Sequence, residues 1–536
     1  MRSHAGPAAA ALRPRSAGKA LLDALPLTII CLLPVILYLP FLAAPFERDE
    51  GVYATIAQGL LHGKVPYRDL FDNKPPLVYG WYAFSFMIFG EHLAAPRILA
   101  SLLLSFTTLS IFGQARIVFS RGVAYCAAAL FGLSTGLPFV ALHANTEAYM
   151  LLPLATAFLA FTIGMRRSSM RWMCLAGALC AIAMMTKQVA VWNLLGLAGV
   201  ATVWRWRDDG LRWTTLRPAA MLTAGAALAV ALIAIPFAAT GSLGELFYAN
   251  VSYNWLYVGV LSYGERLADF SEGFIFFSAV AAPLVAGAFW GLLTVVFRRK
   301  QPFDYLIIVW AAASAAGVAM GGRFFPHYFL HLLPAMAVLT AVVGYERLAR
   351  RRIEPLSRPA LGLALLLVAA SLTTNGVLYL APRLAERHVA QNVYEQKEWE
   401  DASQALAQYV KERTGPEDKI FNFGREAQIY FYADRQPAVR YFSDWPFWWD
   451  DQTLNQTVAA LRLTRPVYLI DSALPPLFPD YRQYHPPVLM SLLQTDYDYV
   501  GRIYFADVYR LKGSIGSPIA PGSELNALMA QNYSFQ

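Results

Sequence analysis

Residues 21–46 read LLDALPLTIICLLPVILYLPFLAAPF, and the next four are Glu47-Arg48-Asp49-Glu50. The run carries one charge, Asp23, and is long enough for an α-helix to cross a bilayer. A secretory signal would be shorter and end in a small-residue cleavage site, so the run reads as an uncleaved signal-anchor. Similar apolar stretches recur as far as residue 381 and then stop. They account for a chain of 536 residues that is 57% hydrophobic and only 15% charged, where a soluble chain carries about 25% charge. The four cysteines, Cys31, Cys126, Cys174 and Cys180, all fall inside these stretches. No disulfide framework or metal-ligand spacing is therefore expected. The formal charge of +8 does not point to nucleic acid, because its placement follows topology.

Arg and Lys gather in six gaps: Arg2 to Lys19, Arg116 to Arg121, Arg166 to Arg171, Arg205 to Arg217, Arg298 to Lys300 and Arg347 to Arg358. The positive-inside tendency makes these cytoplasmic. The gaps at 45–75, 143–147, 241–272, 321–327 and beyond 382 are then external. Alternation holds with eleven crossings near 21–44, 96–115, 122–142, 147–165, 172–186, 188–204, 218–240, 273–297, 304–320, 328–346 and 359–381. Residues 76–90, PLVYGWYAFSFMIFG, are apolar but short and break the parity. They are assigned to the first external loop as a re-entrant or interfacial helix. A true crossing, with a pair around Lys187 merged, is the other solution, so about 11 to 13 transmembrane helices are expected. After residue 382, KIFNFG (419–424), PVYLID (466–471) and RIYFADVYRL (502–511) read as strands, and 392–411 as an amphipathic helix. The expected division is a tail at 1–20, a membrane domain at 21–381 with its first loop at 45–95, and an external α/β domain at 382–536.

The first loop is dense in chemistry. A helix begins at Asp49 and Glu50 and closes at Gly63. Its Val52, Ile56 and Leu60 stripe suits a helix lying in the membrane interface, and Asp49 and Tyr53 share a face one turn apart. Asp69, Asp72 and Lys74 precede the Pro75-Pro76 corner. Asp and Glu at this position either cap the helix or form a carboxylate site at the membrane edge. Asn145-Thr146-Glu147 brings another acid to the same side, where Asn145 or Thr146 also suits a helix cap. Lys187-Gln188 lies between two short runs, either snorkelling or facing the acids. GGRFFPHYFLHLLP (321–334) adds Arg323, His327, Tyr328 and His331. An arginine beside a histidine suits a bound phosphate. Carboxylates here can take a proton from an incoming hydroxyl, and cations can neutralise a phosphate leaving group. The aromatics at 241–272 (Phe247, Tyr248, Tyr253, Trp255, Tyr257, Tyr263) and WPFWW (445–449) suit an interfacial belt or a groove wall.

The run DEGVYATIAQGLLHGKVPYRDLFDNKPPLVYG, Asp49 to Gly80, resembles the signature of the protein O-mannosyltransferase and aminoarabinose-transferase superfamily. It is most similar to the bacterial branch that includes the lipopolysaccharide galacturonic-acid transferases. The resemblance covers roughly 21–381 and implies a GT-C fold in the bacterial inner membrane, with a periplasmic C-terminal domain. It implies an inverting glycosyltransferase of the cell envelope. A sugar would pass from a polyprenyl phosphate to a hydroxyl of lipid A, another glycan, a lipid or a protein. Catalysis would fall to Asp49, with Glu50 beside it. Arg48, Tyr53, Lys74, Glu147, Lys187, Arg323, His327 and Tyr328 would bind substrate. The relatives often have Glu before the Lys-Pro corner, where this chain has Asn73; no cofactor or metal is expected. The rival class, a flippase of lipid-linked sugars, predicts midplane charges and inverted repeats, and the chain shows neither.

Overall fold

The computed structural model describes residues 17–137, 143–210, 212–299, 302–349, 402–472 apart from 444 and 449, and 486–514 apart from 505. The expected crossing at 359–381 and the 382 boundary lie outside the described residues. Helix α1 (Ala17–Tyr38) leads through a 3₁₀ turn into α2 (Arg48–Leu61) and α3 (Leu77–Phe89). Next come α4 (Ala94–Val118), α5 (Arg121–Ser134), α6 (Thr146–Arg167), α7 (Met170–Met184), α8 (Val191–Asp209) and α9 (Trp213–Ala239). The bundle continues with α10 (Leu243–Phe247), α11 (Tyr253–Gly259), α12 (Tyr263–Val280), α13 (Ala282–Thr294), α14 (Pro302–Met320) and α15 (Leu333–Ala349).

Five described helices are long and apolar enough to cross a membrane, fewer than the eleven crossings expected. Two differences explain much of the gap. The expected span at 273–297 is broken, because α12 and the helix after it bend by 99°. Several other runs form helices too short to span alone, α3, α5 and α7 among them. In the most apolar candidate, Thr214–Ala239, only 22% of the apolar stretch is buried, and Leu228, Leu232 and Ile235 are exposed. A helix apolar all round with no protein to cover it is solvated by lipid. Among the described residues it packs on α7 and α8, most closely on α7. A Cβ on Gly177 would meet the Leu222 carbonyl, and one on Gly225 the Cys174 carbonyl. Small residues let the two backbones approach, the usual basis of helix association in membranes.

The C-terminal region is α/β. Strand β1 (Ile420–Phe423) runs parallel to β2 (Tyr468–Asp471), which pairs antiparallel with β4 (Ala506–Leu511), itself paired with β3 (Tyr497–Ile503). The expected single strand over RIYFADVYRL is a hairpin that turns at Tyr504, whose φ is 54°. No glycine or asparagine marks the turn, which is why the sequence reads through it. One sheet face packs on Leu454, Val458, Leu461, Leu489 and Leu493. The other joins a helix over 402–411 and the helix Gln428–Ala433 to the bundle core.

That junction falls on α2. The expected interfacial stripe is corrected here: α2 is buried on nearly every side, with Ile56 1% exposed, and only its last turn, at Leu60, opens out. The cover comes from the C-terminal region. A Cβ on Gly51 would fall 2.5 Å from the Gln428 backbone nitrogen, so glycine permits the contact. Thr55 Oγ1 donates to the Ala427 carbonyl at 3.0 Å, and the Phe46 N–H donates to the Tyr432 hydroxyl at 2.6 Å.

Candidate active site

Helix α2 sets the directions of its first three side chains. Successive residues on an α-helix diverge by about 100°, so Arg48, Asp49 and Glu50 cannot share one face. Asp49 looks into the bundle, where Tyr53 hydroxyl lies 3.4 Å from its Oδ2. Glu50, expected beside it at the site, instead points into the protein and is fully buried. Its Oε2 is 2.6 Å from Arg97 Nη2, its Oε1 3.1 Å from Arg97 Nε, and the Ala144 N–H donates to Oε1 at 2.8 Å. Arg97 also donates to the carbonyls of Phe41, Ala44 and Pro45. The pair thus ties α1, α2, α4 and the 143–145 segment together. Arg48, expected to hold donor phosphate, turns the third way and meets Glu426 of the C-terminal region at 3.2 Å.

The Glu50 carboxylate is kept ionised against its surroundings. Burial alone would raise it, but Arg97 and His143 outweigh burial and hold it well below the usual carboxylate range. Burial likewise works against a charged His143, yet Glu50 and Glu47 push it up to about 9. Burial pushes Glu47 up to about 7, Asp49 and Glu50 adding to the shift while His143 opposes it. The signs give a prediction. His143 stabilises the fold below its ordinary 6.5 and loses that contribution as pH rises through 9. Glu47 already favours the unfolded, ionised form as pH climbs from 4.5 to 7. The melting temperature should therefore fall from pH 6.5 to 9, and His143→Asn should flatten the slope across that window.

The Lys-Pro-Pro corner is built from tyrosines. Tyr67, whose φ is 69°, donates to the Lys74 carbonyl at 2.7 Å, and Tyr79 donates to Asp72 at 2.8 Å. Lys74 Nζ donates to Asn73 Oδ1 at 3.1 Å, and Asn73 is locked to Asn254 of α11 at 3.2 Å. The Leu77 N–H donates to the Met185 carbonyl at 2.9 Å, tying the corner to the broken α7–α8 hairpin. Burial would lower the Lys74 ammonium, but Asp49 and Asp72 raise it above its ordinary range. Asp69 serves the turn, accepting from the Val65 N–H at 2.7 Å, and pairs with Arg68 at 2.8 Å.

On the hairpin, Lys187 pairs with Glu147 at the start of α6, and Tyr328 covers its ammonium at 3.9 Å from the ring centre. Thr146 donates to Glu147 Oε2 at 2.9 Å. Arg323 lies over the Tyr257 ring at 4.5 Å, and His327 packs between Phe325 and Tyr328. Tyr257 feels Arg323, Lys74, Asp49 and Arg425 together. Asp49 lies within electrostatic reach of Lys74, Lys187, His327 and Tyr328, and Arg323 within reach of Tyr257 and Tyr328, while a small cavity beside them is lined by Glu147, Lys187 and Tyr328. His331, 2.9 Å from Asn193, lines the same small cavity.

Residues 73–238 match the family described as dolichyl-phosphate-mannose-protein mannosyltransferase. ArnT from Cupriavidus metallidurans bound to undecaprenyl phosphate superposes with a TM-score of 0.58 at 15% identity, covering 94% of this chain and 100% of that one. The archaeal oligosaccharyltransferase AglB from Archaeoglobus fulgidus, in complex with an inhibitory peptide and a dolichol-phosphate, gives 0.50 at 13% identity, covering 85% and 70%. The chain is a glycosyltransferase of the GT-C fold. No curated protein matches it by sequence.

Some residues around the transferase's pocket escape sequence reasoning. Arg97 left a readable trace, a lone cation at the head of an apolar run, where charge is costly and kept for a purpose. Asn254, Arg425 and Glu426 left none, because distant segments bring them here. Among the described residues, no three His, Cys, Asp or Glu side chains converge to hold a metal ion.

Proposed function

We propose that this transferase moves a sugar from a polyprenyl-phosphate donor to an acceptor hydroxyl, with inversion at the anomeric carbon and Asp49 as general base. The observation that carries this reading is that Asp49, Lys74 and Arg323 all act electrostatically on Tyr257, with Arg323 over its ring at 4.5 Å and Tyr53 3.4 Å from Asp49. Asp49 takes the acceptor proton as the hydroxyl oxygen bonds to the anomeric carbon. The bond from that carbon to phosphate breaks, and its electron pair leaves on the polyprenyl phosphate. Lys74 and Arg323 meet the charge that builds there, which preorganised cations do best in a dry site. A single displacement of this kind inverts the sugar. Glu147 and Lys187, neutralising one another, shape the wall, with Tyr53, His327 and Tyr328 as substrate contacts.

The lipids bound to the two neighbours, undecaprenyl phosphate and dolichol-phosphate, support a lipid-linked donor. The arginine-rich gaps support placing the pocket on the face away from the cytoplasm, in the inner membrane of a bacterium. Lipid A, another glycan, a lipid or a protein are the acceptor classes to try. The test is to incubate the purified protein with a panel of polyprenyl-phosphate sugars and these acceptors. Transfer to at least one hydroxyl acceptor is expected, with the opposite anomeric configuration. Retained configuration would sink the single-displacement scheme. Because Lys74 and Arg323 carry the charge, the rate is expected to be unchanged in excess EDTA; restoration by added divalent ion after a loss would contradict that.

A further inference from the structure

Arg48 is the residue next to the proposed base, and its cation is occupied elsewhere. Its guanidinium meets Glu426 Oε1 at 3.2 Å, with the carboxylate 3% exposed and Arg48 25%. Glu426 is itself held firmly. Its Oε2 lies 2.8 Å from Ser472 Oγ and accepts from the Arg425 N–H at 3.1 Å. Ser472 Oγ is also 2.8 Å from Asn422 Oδ1. Asn422 and Ser472 sit at the strands β1 and β2, both buried. The C-terminal sheet therefore presents a fixed, buried carboxylate to the first turn of α2, beside the Gly51–Gln428 contact.

We propose that Glu426 is a positioning residue that keeps Arg48 away from Asp49, so that the C-terminal domain is part of the catalytic unit. This rests on Asp49 being the base. A long guanidinium one residue away can swing onto a carboxylate. An arginine beside an aspartate lowers its basicity by about one to three pKa units, and a weaker base drives proton transfer less well. Glu426 removes that competitor without touching substrate. The device also explains why an appended domain grips α2 at its first turn rather than at its exposed last one.

The experiment measures kcat, KM for the lipid donor and the acid limb of the kcat–pH profile in full-length protein. Glu426→Gln is expected to lower kcat about tenfold, a change of about 1.4 kcal/mol. Donor KM should hold, and the acid limb should move about one pH unit lower. Adding Arg48→Gln removes the freed cation and should restore both the rate and the limb. Glu426→Asp keeps the charge and should keep the limb in place, even if Gln disturbs the seam. Overturning results are a parental profile for Glu426→Gln, a loss that the double variant does not restore, or a shifted limb in Glu426→Asp. Asp49→Asn runs in parallel. If it transfers sugar at the parental rate, the base assignment falls. If it is inactive while Glu426→Gln is normal, only the positioning role falls.

Discussion

Replacing Asp49 by Asn is expected to cut sugar transfer by about 100- to 10,000-fold, the contribution a positioned general base makes. The asparagine keeps the shape of the side chain and its contact with Tyr53, 3.4 Å away in the parent. Donor binding should therefore survive, because Lys74 and Arg323 are untouched. The signature is a collapsed kcat with an unchanged KM for the lipid donor, read from steady-state rates. A variant that lost both in parallel would indicate that Asp49 binds the donor rather than activating the acceptor. A variant that kept its kcat would remove Asp49 from the chemistry.

The second large effect concerns stability. Arg97→Leu leaves Glu50 fully buried with only His143 left to pair with it and strips donors from three carbonyls between α1 and α2. Breaking a buried pair by removing one partner costs about 3–5 kcal/mol, whereas removing both together is often close to neutral. The double variant Arg97→Leu, Glu50→Leu should thus recover part of the loss, though not the lost carbonyl bonds. Denaturant titration in detergent reads both. A single-variant cost below about 1 kcal/mol would show that the pair contributes little to holding the loop.

The parts of the site that were legible share one property: they are local. Asp49 and Tyr53 are one helical turn apart, and Lys74 is fixed by the Pro75-Pro76 corner that follows it. Glu147 and Lys187, each at the end of an apolar run, were expected on one face, and in the structure they pair with one another. What could not be read depends on chain segments far apart. Helix α2 looked like a helix lying on lipid because its own pattern contains an apolar stripe. Its polar side is covered by residues 426–432, nearly four hundred positions away. The same distance hid Glu426 and with it the true direction of Arg48. Glu50 is a different failure. The angular step between neighbouring helix positions was enough to separate it from Asp49, and Arg97 stood ready in the sequence as its partner. In the sheet, RIYFADVYRL carried a strand's alternation on both sides of Tyr504, and only the positive φ there divides it. The eleven expected crossings rested on apolar length and on the alternation of charged gaps, neither of which registers a 99° break between α12 and α13.

Proteoliposomes loaded with a labelled polyprenyl-phosphate sugar offer the most direct test of a transferase built on Asp49. The expected result is release of free polyprenyl phosphate in step with sugar appearing on the acceptor, and neither with Asp49→Asn. Donor that reaches the opposite leaflet intact, with no phosphate freed and equally well in both proteins, would contradict it.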